Sequence, residues 1–322
     1  MKFTKYFDLQ MFANMNTQTT GTSSLSDEMK VYYSDYLIDN AVPKLVHDQF
    51  GQKHPIPKNG GKTIEFRKYS PLPKLLTPLT EGVTPDGQSL TVTTVEATID
   101  QYGGYVTISD MLQLTAIDNN MVQATKLLGN QAGASLDTIT REVLNGGTNV
   151  VSAGGVSSRS ALTADSKLTV DDIKKAVRAL KNQNAEKIGD SYVAIIHPDV
   201  TYDLTNDPAW QAVKDYDPKD WYEGEIGKIA GVRFVETTEA KIFEGGVYST
   251  LILGDNAYGV TEVEGGGLQH IVKQLGSAGT ADALDQRATV GWKATKVAER
   301  LVEQFMVRIE SKGTFSGEAE AN

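Results

Sequence analysis

The sequence contains no cysteine, and this absence excludes several kinds of chemistry at once. Without cysteine the chain forms no disulfide, offers no thiolate nucleophile and provides no sulfur ligand for a metal ion. The composition fits a protein that is made in a reducing cytoplasm. Apolar residues make up 40% of the chain and charged residues 22%, so enough apolar surface is present for a sizeable core.

Clustered basic residues and long apolar runs are also missing. The formal net charge is −10, and no basic cluster exceeds a pair such as Arg67–Lys68. A protein that grips nucleic acid neutralises phosphates with clustered Lys and Arg, so we expect no specific reading of DNA, although an acidic protein can enclose DNA without binding it. No apolar run approaches the roughly 20 residues that span a membrane. Asp8 and Gln10 interrupt the start of the chain, so we expect no secretory signal there.

One fragment imitates a phosphate-binding motif, but its spacing is wrong. Gly61-Lys62-Thr63 resembles the end of a phosphate-binding loop. Such a loop needs a glycine five residues before Gly61, and Ile56 stands at that position. We therefore predict a turn that enters a strand.

A second fragment, His197-Pro198-Asp199, follows an apolar segment. In the structural interpretation, the proline begins a helix and Asp199 interacts with the amides at its N-terminus. The alternative is an α/β enzyme that uses His197 and Asp199 as catalytic residues. The other histidines stand at no spacing typical of metal ligands. We favour the structural interpretation and expect no catalytic activity, no cofactor and no metal site.

The N-terminal region combines an apolar cluster, a polar segment and a helical pattern. Asn14–Ser26 is rich in Asn, Thr, Gly and Ser, which is typical of a mobile arm. A frayed terminus is one interpretation of the apolar cluster before it, and an arm that docks on a partner subunit is the other. From Asp27 to Phe50, apolar residues recur at three- and four-residue spacing, which predicts a helix. The cluster includes Phe7, Leu9, Met11 and Phe12.

Residues 60–108 predict two strands joined by a long excursion. Strand-like patterns begin at Thr63 and again at Ser89, and four prolines stiffen the chain between them. Compact domains seldom need such a long connection, so we predict an extended β-arm. We expect the apolar side chains of the excursion to contact a neighbouring subunit, because they are too many for a solvated tip. They are Leu72, Leu75, Leu76, Leu79 and Val83.

One long helix is predicted after this region. A stripe of apolar residues at helical spacing covers 119–145, which corresponds to a rod of about 40 Å. Gly146 and Gly147 supply its end. A helix of this length in a mixed sequence usually supports flanking sheets.

The rest of the chain alternates helix and strand. Residues from about 166 to 269 predict a compact α/β unit, in which Thr169 and Asp172 cap a helix. Within this unit, the apolar segments Tyr192–Ile196 and Leu251–Leu253 predict strands. Arg287–Glu310 predicts two long strands, although the middle of that segment is also compatible with a helical turn. We expect the Gly- and Glu-rich tail from Ser311 to be loose.

Several long segments are similar to one family of viral proteins. Over nearly its whole length, the chain resembles the major capsid proteins of Firmicutes tailed phages and prophages, in the family related to the coat protein of the N-four coliphage group. The similar segments carry structural signatures and no catalytic ones. They are FDLQMFA from Phe7, YGGYVTISDMLQLTAID from Tyr102, HPDVTYDLTNDPAW from His197, GEIGKIAGVRFVETTEAKIF from Gly224 and LDQRATVGWKATKVAERLVEQFMVRIES from Leu284.

The resemblance implies an α+β fold of the Hong Kong 97 type. In that fold, residues 1–59 would form the N-terminal arm, 60–108 the extended β-loop and 166–269 the α/β axial domain. The peripheral domain would consist of 109–165 and 270–322, with the helix over 119–145 as its spine.

The resemblance also implies a function. The chain would be a non-enzymatic major capsid (head) protein that assembles through hexamers and pentamers into an icosahedral shell around double-stranded DNA. It would assemble in the host cytoplasm and end in the virion, with a portal as a further partner. Some relatives carry a long scaffold-like segment before the arm; here the arm begins almost at once, so we expect a separate scaffolding protein. The alternative with the same fold is the shell protein of an encapsulin-like bacterial compartment.

Overall fold

The protein is described by a computed structural model that covers residues 17–18, 46–57, 61–69, 72–79, 81–116, 120–214, 227–261, 267–277 and 279–322. The arm residues Phe7, Leu9, Met11 and Phe12 lie outside these ranges, as does most of the helical pattern predicted from Asp27 to Phe50. The chain divides into two compact units. The first unit consists of Met1–Val42, Gln101–Ala132 and Leu268–Ala294. The second unit consists of Pro43–Asp100, Gly133–Gly267 and Thr295–Asn322.

Helices and strands are numbered in chain order. The helices are α1 (Asp110–Thr115), α2 (Asn120–Asn145), α3 (Val170–Asn182), α4 (Pro198–Thr205) and α5 (Pro208–Lys214). Short 3-10 turns occur at Ala153–Gly155, Arg159–Ala161, Gly279–Asp282 and Glu303–Phe305. None of the helices within the described ranges combines the length and the apolar character that crossing a membrane requires. The strands are β1 (Thr17–Gln18), β2 (Gln52–Lys53), β3 (Thr63–Tyr69), β4 (Val92–Thr98), β5 (Asp100–Ser109), β6 (Val150–Ser152), β7 (Tyr192–Ile196), β8 (Lys228–Ile229), β9 (Val232–Glu236), β10 (Ile242–Phe243), β11 (Val247–Leu253), β12 (Tyr258–Thr261), β13 (Gln269–Lys273), β14 (Arg287–Arg300) and β15 (Met306–Ser311).

The second unit is built around a seven-stranded mixed sheet. Its strand order is β6-β15-β11-β7-β9-β8, and β10 pairs with β11. β7 and β9 run parallel, whereas β11 runs antiparallel to both β7 and β15. β7 and β11 are buried along their whole length, which explains their mostly apolar sequences YVAII and VYSTLIL. The predicted strands in these two segments are confirmed.

Helix α3 packs its apolar face against this sheet. The Asp172 amide donates to the Thr169 hydroxyl oxygen at 3.3 Å, and the Thr169 hydroxyl donates to the Asp172 carboxylate at 2.8 Å. The predicted capping pair is therefore confirmed, and it satisfies a donor that the first helical turn leaves free. The spacing of the buried face is that of an amphipathic helix. Its residues are Ile173, Ala176, Val177 and Leu180.

The first unit contains a smaller group of strands. β5 pairs with β1 on one side and with β14 on the other, and β13 pairs antiparallel with β14. The Trp292 indole Nε1 donates a hydrogen bond to Gln131 Oε1 of α2 at 3.2 Å. The buried side chains of this part of β14 alternate along the strand, as one face of a sheet requires. They are Ala288, Val290, Trp292 and Ala294.

Helix α2 confirms the long helix predicted over 119–145. The last turn of any helix leaves carbonyl groups without partners inside the helix. Here Arg300 Nη1 donates to the Val143 carbonyl at 3.2 Å, and Arg308 Nη1 donates to the Asn145 carbonyl. The two guanidinium groups therefore satisfy acceptors and offset the partial negative charge of the helix C-terminus.

The C-terminal region confirms one prediction and corrects another. β14 and β15 are the two long strands that the pattern predicted, and the middle of the segment continues β14 instead of forming a helical turn. The prediction of a loose tail after Ser311 is wrong. The Thr314 amide donates to Asp203 Oδ2 at 2.8 Å, and the Asn322 side chain donates to the Ala240 carbonyl at 3.1 Å. The prediction failed because the partners of this polar tail are distant in sequence, where no local pattern signals them.

Candidate assembly surfaces

A two-stranded hairpin carries a long connecting loop. β3 and β4 pair antiparallel, with a register that runs from Thr63↔Thr98 to Tyr69↔Val92. Within the part of the chain that the structure describes, they pair with no other strand. The connection is the excursion predicted from the sequence, and its described residues from 72 to 91 are exposed throughout. We call these residues the projecting loop.

The projecting loop exposes all five apolar side chains that the sequence analysis selected. Leu75, Leu76 and Leu79 are 80%, 86% and 76% exposed, and Leu72 and Val83 are more than half exposed. Contiguous apolar surface on a folded protein typically marks an interaction site. Covering one such side chain stabilises a contact by roughly 1–2 kcal/mol. Contact between these residues and a neighbouring subunit stays a prediction, which this exposure supports.

A second group of exposed apolar side chains lies in the first unit, and the sequence analysis missed it. Helix α1 buries Leu112 but exposes Met111 and Leu114. Leu127 of α2 and Leu284 are exposed as well. A signal was present, because α1 carries apolar residues on more than one face and a short helix turns only one face inward. The first unit therefore also offers apolar surface for contacts.

A buried polar network holds the chain where the predicted arm ends. The His47 amide donates to Asp137 Oδ1 at 2.8 Å, and the His47 ring Nδ1 lies 2.6 Å from Asp137 Oδ2. The Tyr258 hydroxyl donates to the His47 carbonyl, and burial raises the pKa of Tyr258 above its ordinary value. β2 then pairs in parallel with β12. Buried polar groups with satisfied partners specify one arrangement, so these hydrogen bonds fix the position of His47 within the second unit.

The fragment that imitates a phosphate-binding loop is a turn that enters a strand, as predicted. Gly61 has a φ of 94°, a conformation that favours glycine, and β3 begins two residues later. Lys62 Nζ lies 3.2 Å from Asp100 Oδ1 in an exposed ion pair. Phosphate-binding loops depend on the N-terminus of a following helix. Because a strand follows Gly61, this segment lacks the geometry that such a loop requires.

His197, Pro198 and Asp199 shape the start of α4. Pro198 occupies the first helical turn, and His197 Nδ1 accepts a hydrogen bond from the Asp199 amide at 3.2 Å. Burial lowers the pKa of His197 below its ordinary value, against the opposing charges of Asp199 and Glu236. Asp199 lies in the first turn of α4, as the structural interpretation expects, and its carboxylate also accepts a hydrogen bond from the buried Tyr248 hydroxyl at 2.6 Å. His197 therefore caps α4, and Asp199 accepts the hydrogen bond of the buried Tyr248 hydroxyl.

One ion cluster ties β15 to a 3-10 turn. Arg159 donates two hydrogen bonds to the buried Glu310 carboxylate, at 2.9 and 2.6 Å, and Arg308 Nη2 lies 3.0 Å from Glu310 Oε1. The Arg159 guanidinium also lies over the Phe243 ring, 3.6 Å from its centroid. Burial by itself raises the pKa of Glu310, but hydrogen bonds and charges from the two arginines outweigh burial and lower it. The cluster is paired internally, and no group of three metal-ligating side chains occurs among the residues described.

Comparisons with known proteins show which family this sequence matches and which solved structures share its fold. The family model described as phage capsid protein matches residues 92–301, and no curated protein matches the sequence. The capsid of Ralstonia phage GP4 has a TM-score of 0.68 and 15% identity, over 88% of this chain and 95% of that chain. The capsid of cyanophage P-SCSP1u has a TM-score of 0.67 and 13% identity, over 90% and 95%. The capsid of Helicobacter pylori bacteriophage KHP30 has a TM-score of 0.60 and 10% identity, over 88% and 94%.

The structural matches and the family model support different conclusions. At identities of 10–15%, the matched structures show a shared fold, which confirms the α+β, Hong Kong 97-like architecture. They are phage capsids, and they give no support to the alternative of a bacterial compartment shell. The family model spans about two thirds of the 322 residues. The chain therefore belongs to the phage capsid protein family, whose members associate with one another as structural components of the virion.

Proposed function

We propose that the chain is the major capsid (head) protein of a tailed phage or prophage of Firmicutes, in the group related to the N-four coliphage coat protein. Its role is structural, without catalytic turnover. It assembles through hexamers and pentamers into an icosahedral shell that encloses double-stranded DNA. The observation that carries this proposal is the projecting loop, because Leu75, Leu76 and Leu79 are each at least three-quarters exposed. A neighbouring subunit would remove this apolar surface from water.

The proposed parts of the subunit follow the Hong Kong 97 arrangement. Residues 1–59 form the arm and 60–108 the extended loop. The axial domain is 166–269, while 109–165 and 270–322 form the peripheral domain around the helix over 119–145. The paired strands β7, β9 and β11 lie within the axial range and support it. β6 and β15 join the same sheet from outside that range, so the proposed domains share strands.

Shell formation by this chain depends on many small contacts. Each apolar side chain of the projecting loop contributes roughly 1–2 kcal/mol when covered, less the cost of ordering the loop. The arm residues Phe7, Leu9, Met11 and Phe12 supply a second contact with a partner subunit. Symmetry repeats each contact, and closed geometry turns modest interfaces into a stable shell.

The further partners are a separate scaffolding protein and a portal, with assembly in the host cytoplasm. The net charge of −10 supports an enclosing role toward DNA, because a basic inner wall would hold DNA during packaging. Free subunits should therefore retain no DNA at physiological salt in a filter-binding assay. A tight complex whose affinity falls steeply with salt would contradict this part of the proposal.

The decisive experiment replaces the segment from Leu72 to Leu90 with a short Gly–Ser turn. We expect a soluble subunit that melts cooperatively but forms no closed shells under the electron microscope. A matched variant keeps the loop length and changes Leu75, Leu76 and Leu79 to Ser, and it should show the same loss of shells. If the shortened subunit unfolds, the loop belongs to its own core. If it assembles normally, the contacts that hold the shell lie elsewhere and the proposal is wrong.

A further inference from the structure

Among the residues whose burial the structure describes, those that support the hairpin of the projecting loop lie toward its base. Ile99 is buried there, and its amide donates to the Lys62 carbonyl at 2.9 Å. Further out, Phe66 and Val95 form a register pair in which both residues are partly buried. Beyond this pair, every residue of the hairpin whose burial the structure describes is exposed. Among these described residues, Phe66 and Val95 are therefore the outermost support of the hairpin.

The ring of Phe66 lies against a glycine in β12. A Cβ added to Gly259 would lie 3.1 Å from both Cε1 and Cζ of Phe66, and 3.5 Å from Leu301 Cδ1. Carbon atoms in favourable contact are about 3.5–4.0 Å apart, so a side chain at this position would push the ring outward. Gly259 pairs with Glu299 of β14 and with Gln52 of β2. Strands on both sides of β12 therefore hold Gly259 in place, and we call the space above this glycine, where the Phe66 ring lies, the glycine notch.

An open groove beside Phe66 gives the hairpin room to tilt. The groove has a volume of about 420 Å³, and its walls include Arg67, Asn256 and Val302. The His54 ring meets the Phe66 ring edge-on, with centroids 6.0 Å apart. A ring that left the notch could move toward this groove while β3 and β4 kept their own pairing. A change in the position of the Phe66 ring against Gly259 would therefore change the angle of the hairpin.

We propose that Phe66, seated on Gly259, is the positioning residue that sets the angle of the β3–β4 hairpin, and that this angle sets the curvature of the shell. The first part concerns the isolated subunit. The second part rests on the proposed function of the projecting loop, because a change of angle moves the apolar side chains that a neighbour covers.

The angle can be measured directly because the chain has no cysteine. Two introduced cysteines, Thr94→Cys at an exposed position of β4 and Lys187→Cys at an exposed site of the second unit, carry spin labels as a unique pair. We expect one narrow distance distribution in the otherwise unchanged subunit. Gly259→Ala should shift its mean, because the added methyl group displaces the ring. Phe66→Ala should broaden the distribution, because the hairpin loses the contact between the Phe66 ring and Gly259.

Shells made from the same variants, without the labels, test the second part. We expect Gly259→Ala to give shells of altered or mixed diameter under the electron microscope, and Phe66→Ala to give a broad range of diameters. Combining Gly259→Ala with Phe66→Leu should restore a narrow distribution, because a smaller side chain accommodates the methyl group. Two controls should leave angle and diameter unchanged. They are Gly317→Ala, where an added Cβ meets nothing within 4 Å, and Glu96→Gln, at an exposed position of β4 that does not line the groove.

Each outcome separates this inference from the proposed function. Unchanged distances in both Gly259→Ala and Phe66→Ala would overturn the assignment of Phe66 as the positioning residue. Shifted distances with uniform shells of normal diameter would overturn the link to curvature and leave the proposed function standing. Normal assembly after replacement of the loop would defeat the proposed function whatever the distances show. If Gly259→Ala does not fold, the Phe66→Ala and Phe66→Leu subunits decide the question.

Discussion

The seven-stranded sheet and the projecting loop use the same kind of side chain for opposite purposes. In the sheet, Ile252 is fully buried, with Ala194 and Val307 as its register partners. In the loop, Leu76 is 86% exposed. Isoleucine and leucine gain similar free energy on leaving water, so composition does not separate the two sites. The apolar content of the sequence therefore indicates how much apolar surface must be buried. The position of each side chain in the fold decides whether the subunit itself or a neighbouring subunit buries it.

The largest expected effect comes from truncating the sheet. Ile252→Ala should lower the free energy of unfolding by about 4 kcal/mol, because it leaves a cavity in the apolar core that Ile252 forms with α3. Chemical denaturation of the isolated subunit measures this change. A loss of less than about 1 kcal/mol would show that the sheet is not the stabilising core, since even favourable truncations there cost more. The comparison between sheet and loop would then fail.

Removing one charge from the buried ion cluster should cost less. Glu310→Gln should lower the free energy of unfolding by about 2 kcal/mol at neutral pH, since Arg159 and Arg308 lose a charged acceptor. Denaturation curves at neutral pH measure the loss. Lys312→Gln, a charge change next to the same strand end but outside the cluster, is the matched control and should stay within about 0.5 kcal/mol of the unchanged subunit.

The same cluster predicts a dependence on pH. The folded-state pKa of Glu310 lies below the ordinary value of 4.5, so its contribution to stability is fully present above about pH 4.5. That contribution is lost as the pH falls through the folded-state pKa. The difference in unfolding free energy between the unchanged subunit and Glu310→Gln should therefore shrink in acid. A difference that grows below pH 4.5 would contradict the lowered pKa.

The C-terminal tail should contribute a smaller amount. Thr314 donates its hydroxyl to Asp203 Oδ1 at 2.6 Å and accepts from Lys167 Nζ at 2.7 Å. Thr314→Val removes both hydrogen bonds while keeping the shape, and it should cost about 1 kcal/mol of unfolding free energy. Hydrogen exchange supplies a second measurement, because the amide of residue 314 donates to Asp203 and should be protected. If the amide of residue 314 exchanged at the rate of an unstructured peptide, the tail would be loose, as the sequence suggested.

The smallest effect on folding belongs to the loop. Leu76→Ser should change the free energy of unfolding by less than about 0.5 kcal/mol, because the side chain contacts mainly water in the subunit. The yield of shells under the electron microscope should nevertheless fall. A loss of unfolding free energy like that of Ile252→Ala would place Leu76 in a core of the subunit itself. The two regions would then no longer differ in the way described above.

Predictions from local sequence succeeded where the relevant partners are close along the chain. The helix over 119–145, the capping pair Thr169 and Asp172, and the strand Tyr192–Ile196 all depend on residues within a few positions of one another. The loop was predicted for a similar reason, because its prolines and its several leucines are visible in the sequence without knowledge of any distant partner. Helix α1 was the exception, since only packing shows that Leu112 is buried while Leu114 is exposed.

The sequence by itself determined the long helix over 119–145, the capping pair of Thr169 and Asp172 and the apolar character of the loop. Only the tertiary structure decided that the tail binds Asp203, that Arg308 caps α2 and that Phe66 rests on Gly259. Propensity and capping act between near neighbours, so a linear pattern displays them. A contact between residues far apart in the chain depends on the path of everything between them, and a glycine in a strand pattern does not show which ring will cover it.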